Sequence, residues 1–386
     1  MSFAVAVLGA LLCAAGLAGA GFALFAARVL DGYRPGPPPE ADHWPDVAVL
    51  KPLHGPEPQL ETDLRSFLRQ DYPGGYRVWF GVQRPDDPAR SVAGGLASGS
   101  PLTASMVVDE RAHGANAKVS NLINIAEAAA PAEMVVLSDS DIRAPPDYLR
   151  RLAAALQVEG VGVASCLYYG RASAPGLWPR LSAMGVSYGF LPQAAVGVAV
   201  GAAPCMGSTI ALRTGTLEAI GGLARVKDVL ADDYEIGRAV RDDLRLEVVS
   251  PPFLVSHGHA EASFRETWAH ELRWSKTTQG LDPAGHAGSV VTHATPLALL
   301  GVLLIAAGEP GLLPPAVLIL LVTILARLWL KSRVDGAAGA ATGPWWLLPI
   351  RDMMSFAVFV GAYLTRRVDW RGARFHVGRD GQLTPV

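Results

Sequence analysis

The sequence predicts an α/β domain built on a mostly parallel sheet and flanked by apolar segments long enough to cross a membrane. Two observations support this fold class. Between residues 47 and 255, short β-rich runs alternate with helical hydrophobic patterns, which is typical of a parallel sheet with crossover helices. Elsewhere the chain has long stretches almost free of charge, and 50% of its 386 residues are hydrophobic while only 18% are charged.

The overall charge and the cysteines limit the class of protein. A formal net charge of −2 gives no electrostatic reason to expect a nucleic-acid partner. Cys13, Cys166 and Cys205 lie far apart in the chain and form neither a Cys-x-x-Cys pair nor a disulfide framework. This cysteine usage is typical of a reducing cytoplasm.

The N-terminal segment, residues 1–28, is predicted to be a membrane anchor. Residues 1–27 carry no charge, have the length of a span and are followed by Arg28. The alternative is a signal peptide, but such peptides begin with a basic region, and no Lys or Arg precedes this stretch. Residues 29–46 are rich in Pro and Gly and are predicted to be a linker, so a new domain is expected to start at residue 47.

The domain at residues 47–255 is predicted to contain strands at residues 47–50, 77–82, 106–108 and 134–137. Apolar residues recur at helical spacing over residues 60–68. A later helix is expected to open at Pro145 and Pro146, since proline is favoured in a first turn, and to run to about Leu156. Ligands of such sheets gather at the carboxyl ends of the strands, and the polar motifs of this sequence follow those ends.

Residues 291–365 hold three further apolar stretches, at residues 291–307, 312–330 and 345–364. The middle stretch is the cleanest span. The first is long enough only if His293 is included, and the last carries Arg351 and Asp352. Either of these two is therefore a candidate for a re-entrant or interfacial segment.

Basic residues near the spans predict the orientation of the chain. Arg28 and Arg34 follow the first span, and Lys331 and Arg333 follow the middle C-terminal one, which places the domain between them in the cytoplasm. The tail at residues 366–386 is also basic, although four complete spans would place it outside. We therefore expect one of the two imperfect segments not to cross, and the sequence leaves open which one.

Two carboxylates one residue apart, Asp139 and Asp141, directly follow the fourth predicted strand. In a short loop both can approach one divalent cation, and Mg²⁺ and Mn²⁺ prefer carboxylate and phosphate oxygens. The alternative is a solvated turn in which Asp141 helps to cap the next helix. The position of the pair at the end of a buried strand favours a metal site.

Two more carboxylate pairs have strong structural alternatives. Asp86 and Asp87 follow the second predicted strand and, taken alone, form a polar turn. Asp232 and Asp233 begin a helical pattern, where aspartate is usually a cap. Spacing alone therefore assigns a function to neither pair.

Residues 256–290 are predicted to contain an interfacial helix just before the membrane segments. On a helix, one face of this segment is an apolar stripe formed by Phe264, Trp268 and Leu272. The opposite face carries His270, Arg273, Trp274 and Thr277. Spacing alone leaves two interpretations open. In the first, the stripe faces lipid and the opposite face closes a site. The alternative is a helix packed on the domain, with Arg273 in an ordinary ion pair.

Taken in order, these motifs resemble the family 2 glycosyltransferases, which have the GT-A fold, and within them the ceramide glucosyltransferase branch. The resemblance covers nearly the whole chain. Six segments carry it, at residues 51–55 (Lys-Pro-Leu-His-Gly), 70–73, 82–89, 138–143, 231–234 and 270–274 (His-x-x-Arg-Trp). Residues 113–124 and 282–285 are similar to the bacterial hopanoid-biosynthesis-associated glycosyltransferases. His270 departs from the broad family, in which Gln or Arg is usual.

The resemblance implies a donor site for a UDP-sugar. Asp87 would contact the uracil, and Lys118 would stabilise charge on the departing UDP. Asp139 and Asp141 would hold a divalent metal, Mg²⁺ or Mn²⁺, on the diphosphate, with Asp141 the more direct ligand. The animal enzymes lack this second carboxylate, so its presence here favours metal binding.

The resemblance also implies a single displacement that inverts the anomeric carbon. Asp233 would be the general base that takes the proton from the acceptor hydroxyl. Arg273 and Trp274 would bind the diphosphate and the acceptor end of the cleft, with His270 on the acceptor side.

The implied acceptor is the hydroxyl of a lipid in the bacterial inner membrane. A hopanoid such as bacteriohopanetetrol, with N-acetylglucosamine as the sugar, follows from the closer resemblance, and ceramide with glucose is the alternative. A processive polysaccharide synthase is disfavoured, because it needs more spans for a polymer channel. A non-catalytic membrane-binding protein is disfavoured too, because it would not need three complete carboxylate motifs.

Overall fold

The computed structural model describes residues 2–365, 368–370, 373–377 and 383–385. The predicted basic tail at residues 366–386 lies outside these residues, apart from the backbone of three short strands. The strands are β1 Val47–Pro52, β2 Tyr76–Val82, β3 Ala104–Val108, β4 Met134–Leu137, β5 Ile142–Arg143, β6 Val161–Ser165, β7 Leu167–Ala172, β8 Ile210–Arg213, β9 Glu247–Val249, β10 Leu254–His259, β11 Val368–Trp370, β12 Ala373–Val377 and β13 Leu383–Pro385.

Helices cover both faces of the central sheet and also precede and follow the domain that contains it. They are α1 Ser2–Leu30, α2 Leu60–Phe67, α3 Pro88–Gly99, α4 Ala117–Ala128, α5 Tyr148–Gln157, α6 Leu177–Gly185, α7 Leu191–Ala199, α8 Thr214–Ala219, α9 Asp232–Asp242, α10 Phe264–Leu281, α11 Pro283–Gly288, α12 Ala294–Gly308, α13 Leu313–Ala338 and α14 Leu348–Leu364. A π-helical turn, Val186–Phe190, joins α6 to α7.

The central sheet confirms the predicted mostly parallel α/β fold. Its spatial order is β3-β2-β1-β4-β8-β6-β9, and β8 is antiparallel to both of its neighbours while the other pairs are parallel. All six residues of β1 are buried, because helices pack on both sides of it. A second sheet, in the order β5-β10-β7, lies beside the loop after β4.

The helix predicted to open at Pro145 and Pro146 begins later, and that prediction was wrong. Helix α5 starts at Tyr148, with Asp147 at its N-cap position. A residue that precedes proline is disfavoured in helical geometry, so Pro145 cannot begin the helix before Pro146. The carbonyl of Pro145 instead accepts a hydrogen bond from the Gln70 side chain at 3.0 Å.

Within the described part of the chain, three helical segments are long and apolar enough to cross a membrane: Phe3–Tyr33, Pro310–Ala338 and Trp345–Leu364. A fourth candidate is bent by 65° between Pro283–Thr292 and Ala294–Gly308. Helix α12 alone has 15 residues, or about 22 Å of helix, which is shorter than the roughly 30 Å of a bilayer core. The predicted imperfection of this stretch is therefore visible as a break in the helix.

Small residues bring α1 and α12 into close contact. A Cβ placed on Gly16 would lie 2.8 Å from the Cβ of Ala298, and one placed on Gly301 would lie 2.6 Å from the sulfur of Cys13. Such glycines allow the backbones of neighbouring helices to approach closely, as in membrane helix pairs. The N-terminal helix is thus packed against the C-terminal helices.

The apolar stripe of α10 packs in part on protein, and Phe264 at its start is 49% exposed. A Cβ placed on Gly361 of α14 would lie 3.1 Å from the ring of Trp268 and 3.6 Å from Leu272. Phe264 contacts Trp178, with ring centroids 5.6 Å apart. Part of the stripe is thus covered by α14, and part of it lies exposed on the protein surface.

Candidate active site

The predicted site residues follow the carboxyl ends of the central strands. Lys51 lies at the end of β1, Asp87 follows β2, and Asp139 and Asp141 follow β4. Because β1 runs parallel to β2 and β4, these ends meet at one edge of the sheet. Asp233, at the start of α9, joins the same edge through Gly207.

The loop that carries Asp139 and Asp141 is held by Lys51 at the end of β1 and by Glu57 in the loop that follows. Lys51, which is fully buried, donates to the hydroxyl of Ser138 at 3.3 Å and to the carbonyl of Asp139. Burial lowers the pKa of Lys51 to about 8, although the surrounding carboxylates oppose the shift. Ser140 donates to Oε1 of Glu57. The two loops therefore hold each other in one geometry.

Asp141 is less exposed than the alternative of a solvated turn requires. Its side chain is 33% exposed, yet Oδ1 is buried and has no hydrogen-bond partner among the described residues. Oδ2 lies 3.4 Å from Nε2 of His257 on β10. Burial raises the pKa of Asp141, although His257 opposes the rise.

These surroundings fit a divalent cation. A buried carboxylate oxygen without a partner is costly, and a bound cation would satisfy it. The adjacent imidazole of His257 offers a nitrogen donor beside the carboxylate oxygens, and imidazole suits Mn²⁺ better than it suits Mg²⁺. Glu57 also has a buried oxygen, Oε2, without a partner in the described part of the chain, and burial raises the pKa of Glu57 to about 7.

Lys118 links the second and third carboxylate motifs. Its ammonium lies 2.8 Å from Oδ1 of Asp139 and 3.3 Å from Oδ2 of Asp232. Burial alone would lower the pKa of Lys118, but Asp139 and Asp232 outweigh that effect and raise it. The side chain therefore stays protonated and can stabilise anionic oxygen at neutral pH. Asn116 caps α4 just before it, accepting from the amides of Lys118 and Val119.

Asp233 has the surroundings expected of a general base. Its Oδ2 accepts a hydrogen bond of 2.8 Å from the amide of Gly207. Burial and the charge of Asp232 raise the pKa of Asp233 to about 6. A Cβ placed on Gly207 would lie 3.2 Å from Oδ2 of Asp233, 3.4 Å from Oδ2 of Asp139 and 3.4 Å from the ammonium of Lys118. Three motifs thus converge on one point above Gly207, where only glycine leaves the space open.

Asp87 has the structural role that the sequence left open as an alternative. It is the N-cap of α3 and accepts from the amide of Ala89 at 2.9 Å. Both of its oxygens also accept from the amide of Gly55, at 3.0 and 3.1 Å, and its side chain is only 4% exposed. Asp87 therefore fixes the loop after β1.

The predicted acceptor-side residues close the site from α10. The ring of Trp274 lies 5.8 Å from that of His257 and 4.5 Å from that of His270, measured between centroids. His270 is hydrogen-bonded to Glu261, and this carboxylate also lies 3.5 Å from His259. Arg273 is partly buried on the same helix, between residues that contact the site.

His257 and His259 also belong to the site and were not predicted from the sequence. They alternate along β10, so both imidazoles leave the strand on the same face. Nδ1 of His257 lies 3.2 Å from Nε2 of His259, and this pair connects Asp141 to the acceptor side. The Ser-His-Gly-His order at residues 256–259 was the available signal, but this stretch has no hydrophobic alternation to mark it as a strand.

Three solved structures align with this chain. A mannosyltransferase from Pyrobaculum calidifontis, in complex with GDP-Man and Mn²⁺, aligns with a TM-score of 0.52 and 20% identity over 93% of this chain and 98% of that one. GalNAc-T7 with UDP, GalNAc and Mn²⁺ aligns with a TM-score of 0.42 and 10% identity, over 62% of this chain and 51% of that one. Glucosyl-3-phosphoglycerate synthase from Mycobacterium tuberculosis, with Mn²⁺, UDP-glucose and phosphoglyceric acid, aligns with a TM-score of 0.36 and 16% identity, over 58% and 75%.

The first of these alignments confirms the predicted GT-A fold. A family model described as glycosyl transferase family 21 matches residues 8–383, which is nearly the whole chain. This match confirms the predicted resemblance to glycosyltransferases of the ceramide glucosyltransferase-like branch. The family number differs from the prediction, because the motifs suggested family 2 and the match is to family 21. The chain belongs to glycosyl transferase family 21.

Proposed function

We propose that this protein transfers one sugar from a UDP-sugar to a hydroxyl group of a membrane lipid, with inversion at the anomeric carbon. The observation that carries the proposal is the convergence of Asp139, Lys118 and Asp233 above Gly207. A cation-binding carboxylate, a fixed positive charge and a carboxylate with a raised pKa are the groups that such a transfer needs.

The donor side is formed by the loops after β1 and β4. Asp139 and Asp141 would hold a divalent metal, with His257 as a further ligand. Such a metal, when bound, neutralises charge on the diphosphate. Lys118 adds a permanent positive charge beside Asp139 for the departing nucleotide. Asp87 would shape the base pocket by holding Gly55, next to the position where uracil would bind.

The acceptor side is formed by Asp233 and α10. With a pKa of about 6, Asp233 is deprotonated at neutral pH and still basic enough to take a proton. It would remove the proton of the lipid hydroxyl as that oxygen attacks the anomeric carbon from the face opposite UDP. Trp274 and Arg273 would line the acceptor end of the cleft, with His270 behind them.

The helices at both ends would bring the site to the lipid. We propose an anchor at residues 1–28, a linker at 29–46, the catalytic domain at 47–255, the helix region at 256–290 and the membrane segments at 291–365. Lys331 and Arg333, after the clean C-terminal span, support a cytoplasmic site on a bacterial inner membrane. The acceptor would be a hopanoid with several hydroxyl groups, with N-acetylglucosamine as the sugar.

The direct test supplies donors and natural lipids together. Membranes that contain the protein are incubated with UDP-N-acetylglucosamine, UDP-glucose, other UDP-sugars and GDP-mannose, and new glycolipids are identified by mass. We expect one hexosamine on a hydroxylated hopanoid, in the presence of Mn²⁺ or Mg²⁺. Membranes with the Asp233→Asn variant are the matched control.

Each other product points to a different function. Glucosylceramide in ceramide-supplied membranes would favour the ceramide alternative, and a long polymer would favour a polysaccharide synthase. A product from GDP-mannose alone would contradict the UDP assignment. No product from any donor, with correctly folded protein, would contradict the proposed function.

A further inference from the structure

A cavity of about 360 Å³ lies between the catalytic domain and the apolar helices. It is bounded by the π-helical turn Val186–Phe190 and by parts of α1, α10, α11, α13 and α14. This volume lies within the range of ligand-binding sites, roughly 300–1,000 Å³. The metal-site carboxylates are not among its lining residues, so the cavity is separate from the donor cleft.

One end of the cavity reaches the predicted catalytic groups. Met206 lines it, and the amide of the next residue, Gly207, donates to Asp233. His259 also lines it and lies 3.2 Å from His257, the neighbour of Asp141. A molecule in the cavity would therefore end beside the general base.

The other end lies among the apolar helices and is polar. Arg327 of α13 is paired with Asp352 of α14 at 2.7 Å, and Thr295 donates to the same carboxylate at 3.1 Å. Ion pairs within membrane helices occur mainly where they line a cavity or pathway. The two arginines of the lining, Arg327 and Arg351, are matched by two carboxylates, Asp352 and Glu271. The two positive and two negative charges cancel, so these four side chains give the lining no net charge.

Arg351 offers a hydrogen bond that no described residue accepts. It is 3% exposed, and its two terminal nitrogens donate to Glu271 and Ser355. Its Nε is buried and has no hydrogen-bond partner among residues 2–365. Buried donors are rarely left unpaired in folded proteins, so a ligand oxygen is the missing acceptor. Six serine and threonine side chains also line the cavity: Ser182, Ser275, Thr278, Ser289, Thr292 and Ser355.

We propose that this cavity binds the headgroup of the lipid acceptor, with Arg351 Nε donating to one of its oxygens. The inference rests on the proposed function and locates its second substrate. The headgroup is uncharged and hydroxylated, because the neutral lining leaves the charge of a lipid phosphate uncompensated. The reacting hydroxyl then projects past Met206 toward Asp233.

Gly189 permits a variant that fills the cavity. It lies in the π-helical turn and lines the cavity, and a Cβ placed there would meet only the hydroxyl of Ser355, at 3.9 Å. The side chain of Gly189→Leu would therefore extend into the cavity without a backbone clash. Gly95→Leu on α3 is the matched control, since its Cβ would meet open space far from the cavity.

The first measurement is binding, independent of turnover. Purified protein is heated with dodecylglycerol, an uncharged dihydroxy lipid, or with dodecyl phosphate. We expect dodecylglycerol to raise the Tm of the wild type and of Gly95→Leu by a few degrees, and not that of Gly189→Leu. A larger shift with dodecyl phosphate, an undiminished dodecylglycerol shift in Gly189→Leu, or no shift with either lipid would overturn the inference.

The second measurement separates the acceptor from the donor. Gly189→Leu and Arg351→Lys, which keeps the charge beside Glu271 but loses Nε, should raise the KM for the lipid acceptor roughly tenfold or more. Both should bind UDP like the wild type. An unchanged acceptor KM in both variants, with an active wild type, would refute the cavity assignment alone. A wild type that binds dodecylglycerol but transfers no sugar would refute the proposed function and leave the binding site supported.

Discussion

Asp233→Asn tests the general base, and Asp232 provides an internal control one residue away. The amide of Asn can still accept from Gly207, which donates to Asp233 at 2.8 Å, so the fold should be kept. The variant has no basic carboxylate above Gly207. We expect transfer to fall by roughly 10² to 10⁴, which corresponds to about 3–5 kcal/mol in the activation free energy. UDP affinity should not change, because the donor contacts lie in other loops.

Asp232→Asn should lose less than about tenfold, or roughly 1.4 kcal/mol. Asp232 lies 3.3 Å from Lys118, whereas Asp139 lies closer, at 2.8 Å, and remains to hold the ammonium. The assay is labelled UDP-sugar transfer to lipid, with UDP affinity measured by calorimetry on the same samples. If Asp232→Asn is the inactive variant, or if Asp233→Asn loses UDP affinity instead of turnover, the base has been assigned to the wrong residue.

Three further predictions concern the metal, the pH and α10. Asp141→Asn should abolish Mn²⁺ binding and EDTA-sensitive transfer. It should also raise the Tm of the metal-free protein, because burial disfavours the charged Asp141 carboxylate. A lower Tm would contradict the claim that the Asp141 oxygen is desolvated. Transfer should fall as the pH drops below about 6, since Asp233 is then protonated, and a rate profile that stays flat to pH 5 would exclude it as the base. His270→Gln should stay active, because Gln can still donate a hydrogen bond to Glu261. His270→Leu cannot donate this bond and should lower the Tm. An inactive, folded His270→Gln would show that the imidazole itself is required.

The sheet edge was predictable because each polar motif follows an unambiguous strand. The fourth strand was predicted at residues 134–137 and is found there as Met134–Leu137. A strand buried on both faces has a continuous apolar run, so its end is sharply marked in the sequence. The loop after it then necessarily lies at the ligand-binding edge. The metal and base assignments themselves depend on the family resemblance and stay predictions.

The contacts between loops could not be predicted, because they join residues distant in sequence. Lys51 reaches Ser138, and Ser140 reaches Glu57, across more than 80 residues in each case. No local pattern marks such a contact. The sequence shows that Arg351 and Asp352 are charged residues within an apolar stretch. That they line a cavity follows only from the packing of the helices.

The charges at the sheet edge explain why donor and cation would bind together. In the described part of the chain, five carboxylates at this edge lie near two ammonium groups, those of Lys51 and Lys118. The carboxylates are those of Glu57, Asp139, Asp141, Asp232 and Asp233. Five carboxylates against two ammoniums leave a formal excess of three negative charges. A nucleotide diphosphate would add to that excess, so it would be repelled unless a divalent cation accompanied it. Burial, together with this excess, raises the pKa of Glu57 to about 7, and a bound cation would lower it. Metal binding would then release the proton that Glu57 holds near neutral pH, so the affinity of the site for a cation should rise with pH.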